Sequence, residues 1–441
     1  MIVQKFGGTS VGGPDPIRRL AEIVRRALPD RPVVVVSAVG GVTNKLFRLA
    51  DLALARADWQ DECRALAEQH RAILRALDLD PELLEEPIGE LYHLLLGIEM
   101  LRECTPRTMD YLASFGERMS ARLVAAHLAD VGIPATALDA WDAGLVTDSR
   151  FGGARPTAES AARIRAALAP RSDVAVVTGY VAKDAAGNIT TLGRGGSDYS
   201  AAIFGAALDA AEIQIWTDVD GVMTADPRIV PKARHVETIT FAEAAELAFF
   251  GAKVLHPATM VPAVAKKIPI RVLNSFRPDF PGTRVVERLD ARQRGVKSIA
   301  SKDRIVVVNV VAAPMLLQYG FLERIADVFA RHEIVIDMIA TSEVSIAMTT
   351  DAGARLEPVV QELAKFSEVS VVRELALVSV VGEELKEKVG FAATVFGTLG
   401  EIGVNVEMIS YGATRNNLSF VVASGRVKEV VTALHERLFG L

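Results

Sequence analysis

A lysine precedes a pair of glycines near the start of this chain, in the stretch VQKFGGTSVG (3–12). The residue types suggest phosphate binding, because glycines let backbone N–H groups approach phosphate oxygens and an ammonium group neutralises their charge. Lys5, however, comes before Gly7 and Gly8, whereas in a P-loop the lysine and the Ser/Thr follow the last glycine. This stretch is therefore not a P-loop, and the end of a strand has to hold its lysine.

A second glycine-rich stretch, TLGRGGSDYSAA (191–202), places Arg194 between glycines and is followed by Ser197 and Asp198. A guanidinium group in such a loop can bind a carboxylate in bidentate fashion. The two stretches together fit a reaction between anions. Phosphoryl transfer is such a reaction, since it depends on positioning and on neutralising charge.

Two further loops stand where strands are expected to end, SAVGGVTN (37–44) and WTDVDGVMTADPR (216–228), the latter with Asp218. Ligands bind at the carboxyl ends of strands in open α/β sheets. Each loop alone is weak evidence, because a Gly-Gly pair after a strand is commonly a plain turn. On sequence grounds alone, Glu117 reads as a solvated residue at a helix start and Lys253 as a surface lysine.

Composition excludes several classes of function. The chain has 441 residues and a formal charge of −6, with a pI near 5.8, which argues against nucleic acid and anionic membranes as partners. Cations for an anionic ligand must therefore be concentrated locally. Cys63 and Cys104 are isolated, no metal-binding spacing occurs, and no signal peptide or membrane span is visible, so we expect a cytoplasmic protein without a dedicated metal site.

The elements that position these loops are predicted from periodicity. Ile2–Lys5 reads as a strand, and RPVVVVSA (31–38) reads as a strand buried on both faces of a parallel sheet. Later strands alternate with helices, among them DVAVVTGYVA (173–182). This alternation predicts an α/β sandwich over residues 1–285, followed by a polar connector at 286–302.

An internal repeat follows the connector. Residues 321–339 align without a gap on residues 391–409, an offset of 70 residues. Each copy predicts a β-α-β-β-α pattern, with a fourth strand visible only in the first copy, at 369–375. Two ferredoxin-like units are expected, over 303–376 and 377–441, an architecture common in small-ligand sensors.

Six stretches occur together in an order that is typical of one enzyme family: KFGGTSV (5–11), SFGERMS (114–120), TTLGRGGSDYSAA (190–202), IWTDVDGV (215–222), TADPR (224–228) and FAEAAELAFFGAKVLHPATM (241–260). Along essentially its whole length, the chain resembles the aspartate kinases, which use ATP to phosphorylate the side-chain carboxylate of L-aspartate. The resemblance implies an amino-acid-kinase-type three-layer sandwich followed by two ACT domains. It also implies the monofunctional form, feeding lysine, threonine and methionine biosynthesis.

The resemblance implies roles for the matching positions. Lys5 bridges the phosphates, the backbone N–H groups of Gly7 and Gly8 assist, and Asp198 orients Lys5. The aspartate substrate is held by Ser37, Thr43, Glu117, Arg194 and Ser197, with Glu117 at its ammonium and Arg194 at its α-carboxylate. The nucleotide site comprises Lys5, Phe6, Gly7, Gly8, Thr217, Asp218, Met223, Arg228, Lys253 and Val254, and Mg²⁺ arrives with ATP. Met223 departs from the tyrosine that relatives often carry. An ionised carboxylate needs no general base.

The resemblance also implies a homodimer formed through the ACT domains, with higher assembly left open, and an inhibitory amino acid at their interface. Residues matching the effector site of lysine-sensitive enzymes are Met315, Gly320, Phe321, Leu322, Asp337, Ser342 and Glu343. Leu317 and Gln318 depart from that pattern, so lysine is the first expectation and threonine the second. Two alternatives stay open: another kinase of the superfamily, acting on glutamate, acetylglutamate or UMP, and a catalytically silent amino-acid sensor.

Overall fold

The computed structural model describes residues 1–249, 257–290, 293–311, 319–351, 353, 355–411 and 415–440. The chain forms two compact units. The N-terminal unit comprises Met1–Gly221, Glu237–Phe241 and Val254–Arg288, and the C-terminal unit comprises Val222–Val236, Ala242–Lys253 and Leu289–Leu441. Among the described residues, no helix combines the length and the apolar character needed to cross a membrane.

The strands of the first 290 residues are β1 (Ile2–Phe6), β2 (Pro32–Val36), β3 (Ala135–Leu138), β4 (Val146–Thr147), β5 (Val174–Thr178), β6 (Val181–Asp184), β7 (Ile189–Thr191), β8 (Ile213–Thr217), β9 (Thr238–Thr240), β10 (Ile270–Asn274) and β11 (Thr283–Val286). The helices of the same region are α1 (Pro14–Ala27), α2 (Val42–Leu54), α3 (Gln60–Ala76), α4 (Glu85–Leu101), α5 (Pro106–Asp130), α6 (Ser160–Leu168), α7 (Gly196–Ala207), α8 (Phe241–Phe249) and α9 (Pro257–Lys266).

Eight of these strands form one sheet in the order β3-β5-β2-β1-β8-β10-β11-β9, and β4, β6 and β7 form a small second sheet. The pairs from β3 to β10 are parallel, so the carboxyl ends of β1, β2, β5, β8 and β10 meet at one edge. Phe6, Val34 and Val36 pack into the core that α1, α2 and α5 build on one face. Helix α7 packs against β1 on the other face, beside α6 and α9. The predicted three-layer sandwich is confirmed.

The C-terminal unit contains a six-stranded sheet in the order β13-β14-β12-β15-β17-β16. Its strands are β12 (Gly295–Val311), β13 (Met338–Thr341), β14 (Ser345–Asp351), β15 (Glu368–Glu383), β16 (Met408–Tyr411) and β17 (Asn417–Ala423), and its helices are α10 (Phe321–Arg331), α11 (Leu356–Leu363), α12 (Phe391–Glu401) and α13 (Val427–Phe439). The order and the antiparallel pairing are those of two ferredoxin-like units joined side by side, as the repeat predicts.

The prediction of a connector is wrong for residues 295–302. The first half of β12 pairs with the second half of β15, from Gly295 with Glu383 to Lys302 with Leu377. These residues supply the fourth strand that the second repeat lacks in sequence. The second ferredoxin-like unit is therefore built from two separate segments of the chain. Its fourth strand looks polar in sequence but carries Ile299, which is buried with 2% of its surface exposed.

Candidate active site

The predicted phosphate-binding loops meet at the carboxyl edge of the parallel sheet. The Ser37 N–H donates to the Phe6 carbonyl at 3.0 Å, and the Gly7 N–H donates to the Trp216 carbonyl at 3.0 Å. The Ser10 and Ser275 hydroxyls lie 2.7 Å apart. The ends of β1, β2, β8 and β10 are thus held together by hydrogen bonds, which gives the loops a rigid base.

Lys5 and Asp198 form an ion pair at this edge. The Lys5 Nζ lies 2.7 Å from the Asp198 Oδ1, and the two side chains are only 11% and 19% exposed. Lys5 belongs to β1 and Asp198 to the first turn of α7, so both charges are carried by regular elements rather than by mobile loops. The arrangement suits a lysine that must keep one position while charge develops next to it.

The two glycines after β1 have different roles. The Gly7 N–H is engaged by the Trp216 carbonyl, so the expectation that it donates to phosphate is not met here. The Gly8 N–H has no acceptor within the described part of the chain. A Cβ atom at Gly8 would lie 3.0 Å from the Ala38 carbonyl oxygen, so glycine is what allows the loops after β1 and β2 to pack together.

Glu117 is a buried carboxylate rather than a solvated helix residue. It lies in α5 with 3% of its surface exposed. The Ala38 N–H donates to its Oε1 at 3.1 Å, and its Oε2 has no partner among the described residues. Burial raises the pKa of Glu117 to about 8, although the Ala38 N–H and the Lys5 charge act against this rise. A cationic ligand group next to Oε2 would restore the ionised form.

Arg194 lies in the loop before α7, and Ser197 lies in the first turn of that helix. Gly195 lies at the N-cap with φ 69°, a left-handed conformation that favours glycine. Arg194 is exposed and forms no ion pair in the part of the chain that the structure covers. The space above Gly179, at the end of β5, is filled by Ser197, because a Cβ there would lie 2.9 Å from the Ser197 Oγ. Ser197 therefore lies where β5 ends.

Two hydroxyl groups at the same edge have no hydrogen-bond partner among the described residues. Ser37 directly follows β2, and Thr43 lies in the first turn of α2; both are half-buried. These two hydroxyls, the Oε2 of Glu117 and the Arg194 guanidinium are polar groups that a small zwitterion could bind. Ser37 and Thr43 thus lie after β2, the neighbour of β1, and Arg194 and Ser197 lie at the start of the helix that carries Asp198.

The predicted nucleotide residues are distributed over both units. Phe6 ends β1 and stacks on Trp216, Thr217 ends β8, and the exposed Asp218 follows it, its Oδ1 3.3 Å from the Thr217 hydroxyl. Met223 and Arg228 belong to the C-terminal unit. Lys253 and Val254 lie outside the described residues.

The segment that carries Met223 is fixed by the C-terminal unit. The Ser298 hydroxyl donates to the Met223 carbonyl at 2.7 Å, and the Ile299 N–H donates to the Thr224 carbonyl at 2.8 Å. The Thr224 hydroxyl lies 2.8 Å from Nε2 of the buried His435. Further along the segment, Arg228 is 90% exposed and pairs with Asp226.

The predicted effector residues lie in the first ferredoxin-like unit. Gly320 is the N-cap of α10 with φ 81°, and Leu322 is exposed. Phe321 has 6% of its surface exposed and belongs to the core of this unit, so its side chain is not open to a ligand. Ser342 and Glu343 lie in the exposed turn after β13, and Met315 lies outside the described residues.

Asp337, whose side chain is only 4% exposed, already has a partner. The Lys302 Nζ lies 3.0 Å from its Oδ2 and 2.8 Å from the Asp351 Oδ1. Burial raises the pKa of Asp337, and Lys302 lowers it in part. An internal ammonium group thus occupies the acceptor that a cationic effector would use.

Two residues beside the site were not predicted from the sequence. Tyr180 has φ 66°, which ends β5, and its N–H donates to the Ser200 Oγ at 2.9 Å. The buried Asp110 accepts hydrogen bonds from the N–H and hydroxyl of Thr191, at 2.9 and 2.7 Å. The Gly-Tyr pair after an apolar run was the available signal for the first; nothing in the pattern marked the second.

This geometry can bring two anions together. The carboxyl edge of the parallel sheet carries three donors: the unpaired N–H of Gly8, the fixed ammonium of Lys5 and the exposed guanidinium of Arg194. The buried Glu117 adds a carboxylate oxygen. Such a set can hold a phosphate chain and an amino acid.

The family profile described as "Amino acid kinase family" matches residues 1–274, and one described as "ACT domain" matches residues 378–438. Fold and site therefore define the class: the chain belongs to the amino acid kinase family.

Comparison with individual proteins narrows the class. The lysine-sensitive aspartokinase 3 of Escherichia coli is 38% identical over all of this chain and 99% of its own length. The crystal structure of E. coli aspartokinase III with aspartate and ADP (R-state) matches with a TM-score of 0.83 and 36% identity over 100% of both chains. The structure of that enzyme with lysine and aspartate (T-state) matches at 0.85 and 37%, over 100% of this chain and 99% of the other. Within the amino acid kinase family, the chain belongs to the aspartokinases and is therefore a phosphotransferase.

Proposed function

We propose that this protein transfers the γ-phosphoryl group of ATP to the side-chain carboxylate of L-aspartate, giving 4-phospho-L-aspartate. The observation that carries the proposal is the Lys5–Asp198 pair at 2.7 Å beside a buried Glu117 with an unpartnered oxygen. The first feature suits a phosphoryl group in transfer, and the second suits the ammonium group of an amino acid.

In this proposal the aspartate lies between three groups. Its ammonium meets the Oε2 of Glu117, its α-carboxylate meets the guanidinium of Arg194, and the hydroxyls of Ser37, Thr43 and Ser197 are available around it. A side-chain carboxylate oxygen attacks the γ-phosphorus while the bond to the bridging oxygen of ADP breaks. The nucleophile is already ionised, so no proton has to be removed.

Lys5 stabilises the charge that spreads over the transferring group, and Asp198 holds the Lys5 ammonium in place. The Gly8 N–H adds a neutral donor. Thr217, Asp218, Met223 and Arg228, with Lys253 and Val254, are proposed to bind the nucleotide. The crystal structure of E. coli aspartokinase III with ADP supports a nucleotide in this fold.

Mg²⁺ is proposed to arrive with ATP. No group of three or more His, Cys, Asp or Glu side chains that could hold a metal occurs in the described ranges. At the end of the strands, Asp198 is engaged by Lys5, the exposed Asp218 follows β8, and Asp220 accepts a hydrogen bond from Asn274. Bound Mg²⁺ would neutralise phosphate charge.

We further propose feedback inhibition by an amino acid bound to the ACT domains, with lysine as the first choice and threonine as the second. The E. coli relative is named lysine-sensitive, and its structure with lysine is described as the T-state. Residues 1–285 would form the catalytic domain, and 303–376 and 377–441, completed by 295–302, the two ACT domains.

A homodimer formed through the ACT domains is also proposed. β13 and β16 are the two edges of the six-stranded sheet. Each presents an exposed isoleucine at a matching position of the repeat, Ile339 at 44% and Ile409 at 46%. Unpaired edges with apolar side chains are suited to association with a second copy. Light scattering of the purified chain tests this: a monomer at micromolar concentration would contradict it.

The test of the proposed reaction is ADP release by the full chain with ATP and Mg²⁺, with L-aspartate, L-glutamate or N-acetylglutamate as acceptor. Release should require aspartate, and hydroxylamine should trap the acyl phosphate as a hydroxamate. Absence of aspartate-dependent release, or faster release with glutamate, would contradict the proposal. Lysine, threonine and their mixture, added to the same assay, test the regulatory proposal separately.

A further inference from the structure

A cleft of about 560 Å³ lies in the N-terminal unit. Its walls are the start of α5, the middle of α4, Trp141 and the hairpin that joins β6 to β7. This volume is within the range of small-molecule sites. None of the described residues proposed to bind aspartate or ATP lines it.

The cleft is rich in positive charge. Arg107, Arg118 and Lys183 line it, and Glu90 is the one carboxylate among the described lining residues. Glu90 is already bound to Arg118, with its Oε2 2.9 Å from Nη2. Arg107 and Lys183 form no ion pair within 4 Å among the described residues. The Asp142 carboxylate interacts with Lys183 only at longer range, so neither cation has a counter-charge in contact with it.

Arg118 also has hydrogen-bond donors that lack acceptors. Its side chain is only 12% exposed, its guanidinium lies 5.0 Å from the Phe115 ring centroid, and its Nε and Nη1 have no acceptor among the described residues. The nearest second carboxylate, Asp139, is 3.9 Å away and is shared with Arg122. A buried cation with unused donors favours an additional anion nearby.

The other features of the cleft indicate the charge and the organic part of the ligand. The start of α5, a 25-residue helix, adds positive potential from its N-terminus. Leu94, Tyr111 and Trp141 give the cleft apolar surface, and the Lys183 Nζ lies 4.2 Å from the Trp141 ring centroid. A phosphate monoester carries roughly −1.5 to −2 charges at pH 7, which matches the two unpaired cations better than a single carboxylate does.

We infer that this cleft binds a small organic phosphate monoester, with Arg107, Arg118 and Lys183 around the phosphate and Trp141 beside the organic part. The site is independent of the proposed reaction. It would nevertheless contact two elements that lead to the active site: Arg118 directly follows Glu117, and the hairpin is tied to α5 by the Asp110–Thr191 hydrogen bonds.

Tryptophan fluorescence tests the inference, because the chain has only three tryptophans and Trp141 alone lines the cleft. Glycerol 3-phosphate, inorganic phosphate and succinate are titrated into the full-length Lys5→Ala variant, in which phosphate binding at the active site is weakened. We expect the tryptophan fluorescence to change and to saturate with glycerol 3-phosphate, with an apparent Kd below about 10 mM. This change should disappear in a Trp141→Phe variant of the same background.

The double variant Arg107→Ala/Lys183→Ala should raise the apparent Kd for glycerol 3-phosphate about tenfold or more. Because removing Lys183 also uncovers Trp141, Arg107→Ala alone is measured too and should weaken binding without that change. Arg64→Ala, at an exposed pair on α3, is the matched control and should leave the Kd unchanged. Thermal unfolding of each variant shows that it is folded.

Three results would overturn the inference: no saturable change with glycerol 3-phosphate, a change that persists in Trp141→Phe, or the same Kd in Arg107→Ala. Equal or tighter binding of succinate would overturn the assignment to a phosphate. Loss of aspartate-dependent turnover has no bearing on these readings, so failure of the proposed function is distinguishable from failure here.

Discussion

The Lys5 ammonium and the Asp198 carboxylate, 2.7 Å apart, join the first strand of the sheet to the first turn of α7. A side-chain pair that is largely shielded from water keeps its geometry better than an exposed pair, and its charges are less screened. The pair therefore fixes where a phosphoryl group can be stabilised, and each half of it should matter for rate in a distinct way.

Asp198→Asn keeps the size of the side chain but removes the charge that holds Lys5. We expect kcat for aspartate-dependent ADP release to fall by about tenfold to a hundredfold, because the lysine is no longer preorganised. The KM for ATP should change less than kcat. A variant with wild-type kcat would show that Asp198 does not position Lys5.

Glu117 should release a proton when aspartate binds. Its carboxyl, with a pKa of about 8, is mostly protonated at pH 7 and should ionise beside the substrate ammonium. Calorimetry in buffers of different ionisation enthalpy should show that the wild type releases protons on binding aspartate at pH 7, and that this release diminishes as the pH rises above 8. Glu117→Gln should show weaker binding and no release. Proton uptake by the wild type would contradict the account.

The same carboxyl gives a pH dependence of stability in the free protein. Its folded pKa of about 8 lies above its ordinary value of 4.5, so between these values the folded state binds the extra proton. Its contribution is fully present below pH 4.5 and is lost as pH rises toward 8. The difference in unfolding free energy between wild type and Glu117→Gln should therefore shift against the wild type over this window, measured by urea titration at several pH values. A shift of the opposite sign would contradict the burial argument.

Lys302 should compete with a cationic effector for Asp337. If lysine binds there, its ammonium has to displace Lys302, which lies 3.0 Å from the Asp337 carboxylate. Lys302→Met should then lower the lysine concentration for half-inhibition about fivefold, roughly the energy of a partly exposed ion pair. Lys302→Arg is the control and should stay near wild type. A higher half-inhibitory concentration in Lys302→Met would place the effector elsewhere.

The strand formed by 295–302 should stabilise the second ACT unit. Ile299→Ala removes a buried side chain from this strand and should cost about 2–5 kcal/mol of unfolding free energy. Val372→Ala, at a 38% exposed position of β15, should cost about 0.5 kcal/mol or less. Differential scanning calorimetry should show a lower Tm for the C-terminal transition in the first variant only. An equal decrease in Tm in Ile299→Ala and Val372→Ala would mean that the 295–302 strand contributes little to the stability of the second ACT unit.

Much of the catalytic fold follows from local pattern. Unbroken β-branched runs predict buried parallel strands, and such strands bring their following loops to one edge, which is why the Lys5 and Arg194 loops could be expected together. The repeat in the second half, with its offset of 70 residues, likewise predicts two similar units. These signals are local or depend on self-similarity.

What could not be predicted depends on long-range packing. The segment 295–302 looks like a polar linker until β15 pairs with it, and no local feature encodes that partner. The stretch 173–182 reads as one strand, but Tyr180 with φ 66° breaks it where Gly179 packs on Ser197. Glu117 reads as a surface residue because only the fold shows that the loop after β2 covers it.

The Lys5→Ala variant, assayed for aspartate-dependent ADP release, tests the central claim most directly. Lys266→Ala is its matched control, since Lys266 forms a pair of similar length, 2.8 Å, with Asp209 at the exposed surface. Lys5→Ala should lose about a thousandfold in kcat while remaining folded, and Lys266→Ala should retain wild-type turnover. A Lys5→Ala enzyme within a few-fold of wild type would show that phosphoryl transfer does not depend on the charge at the end of β1.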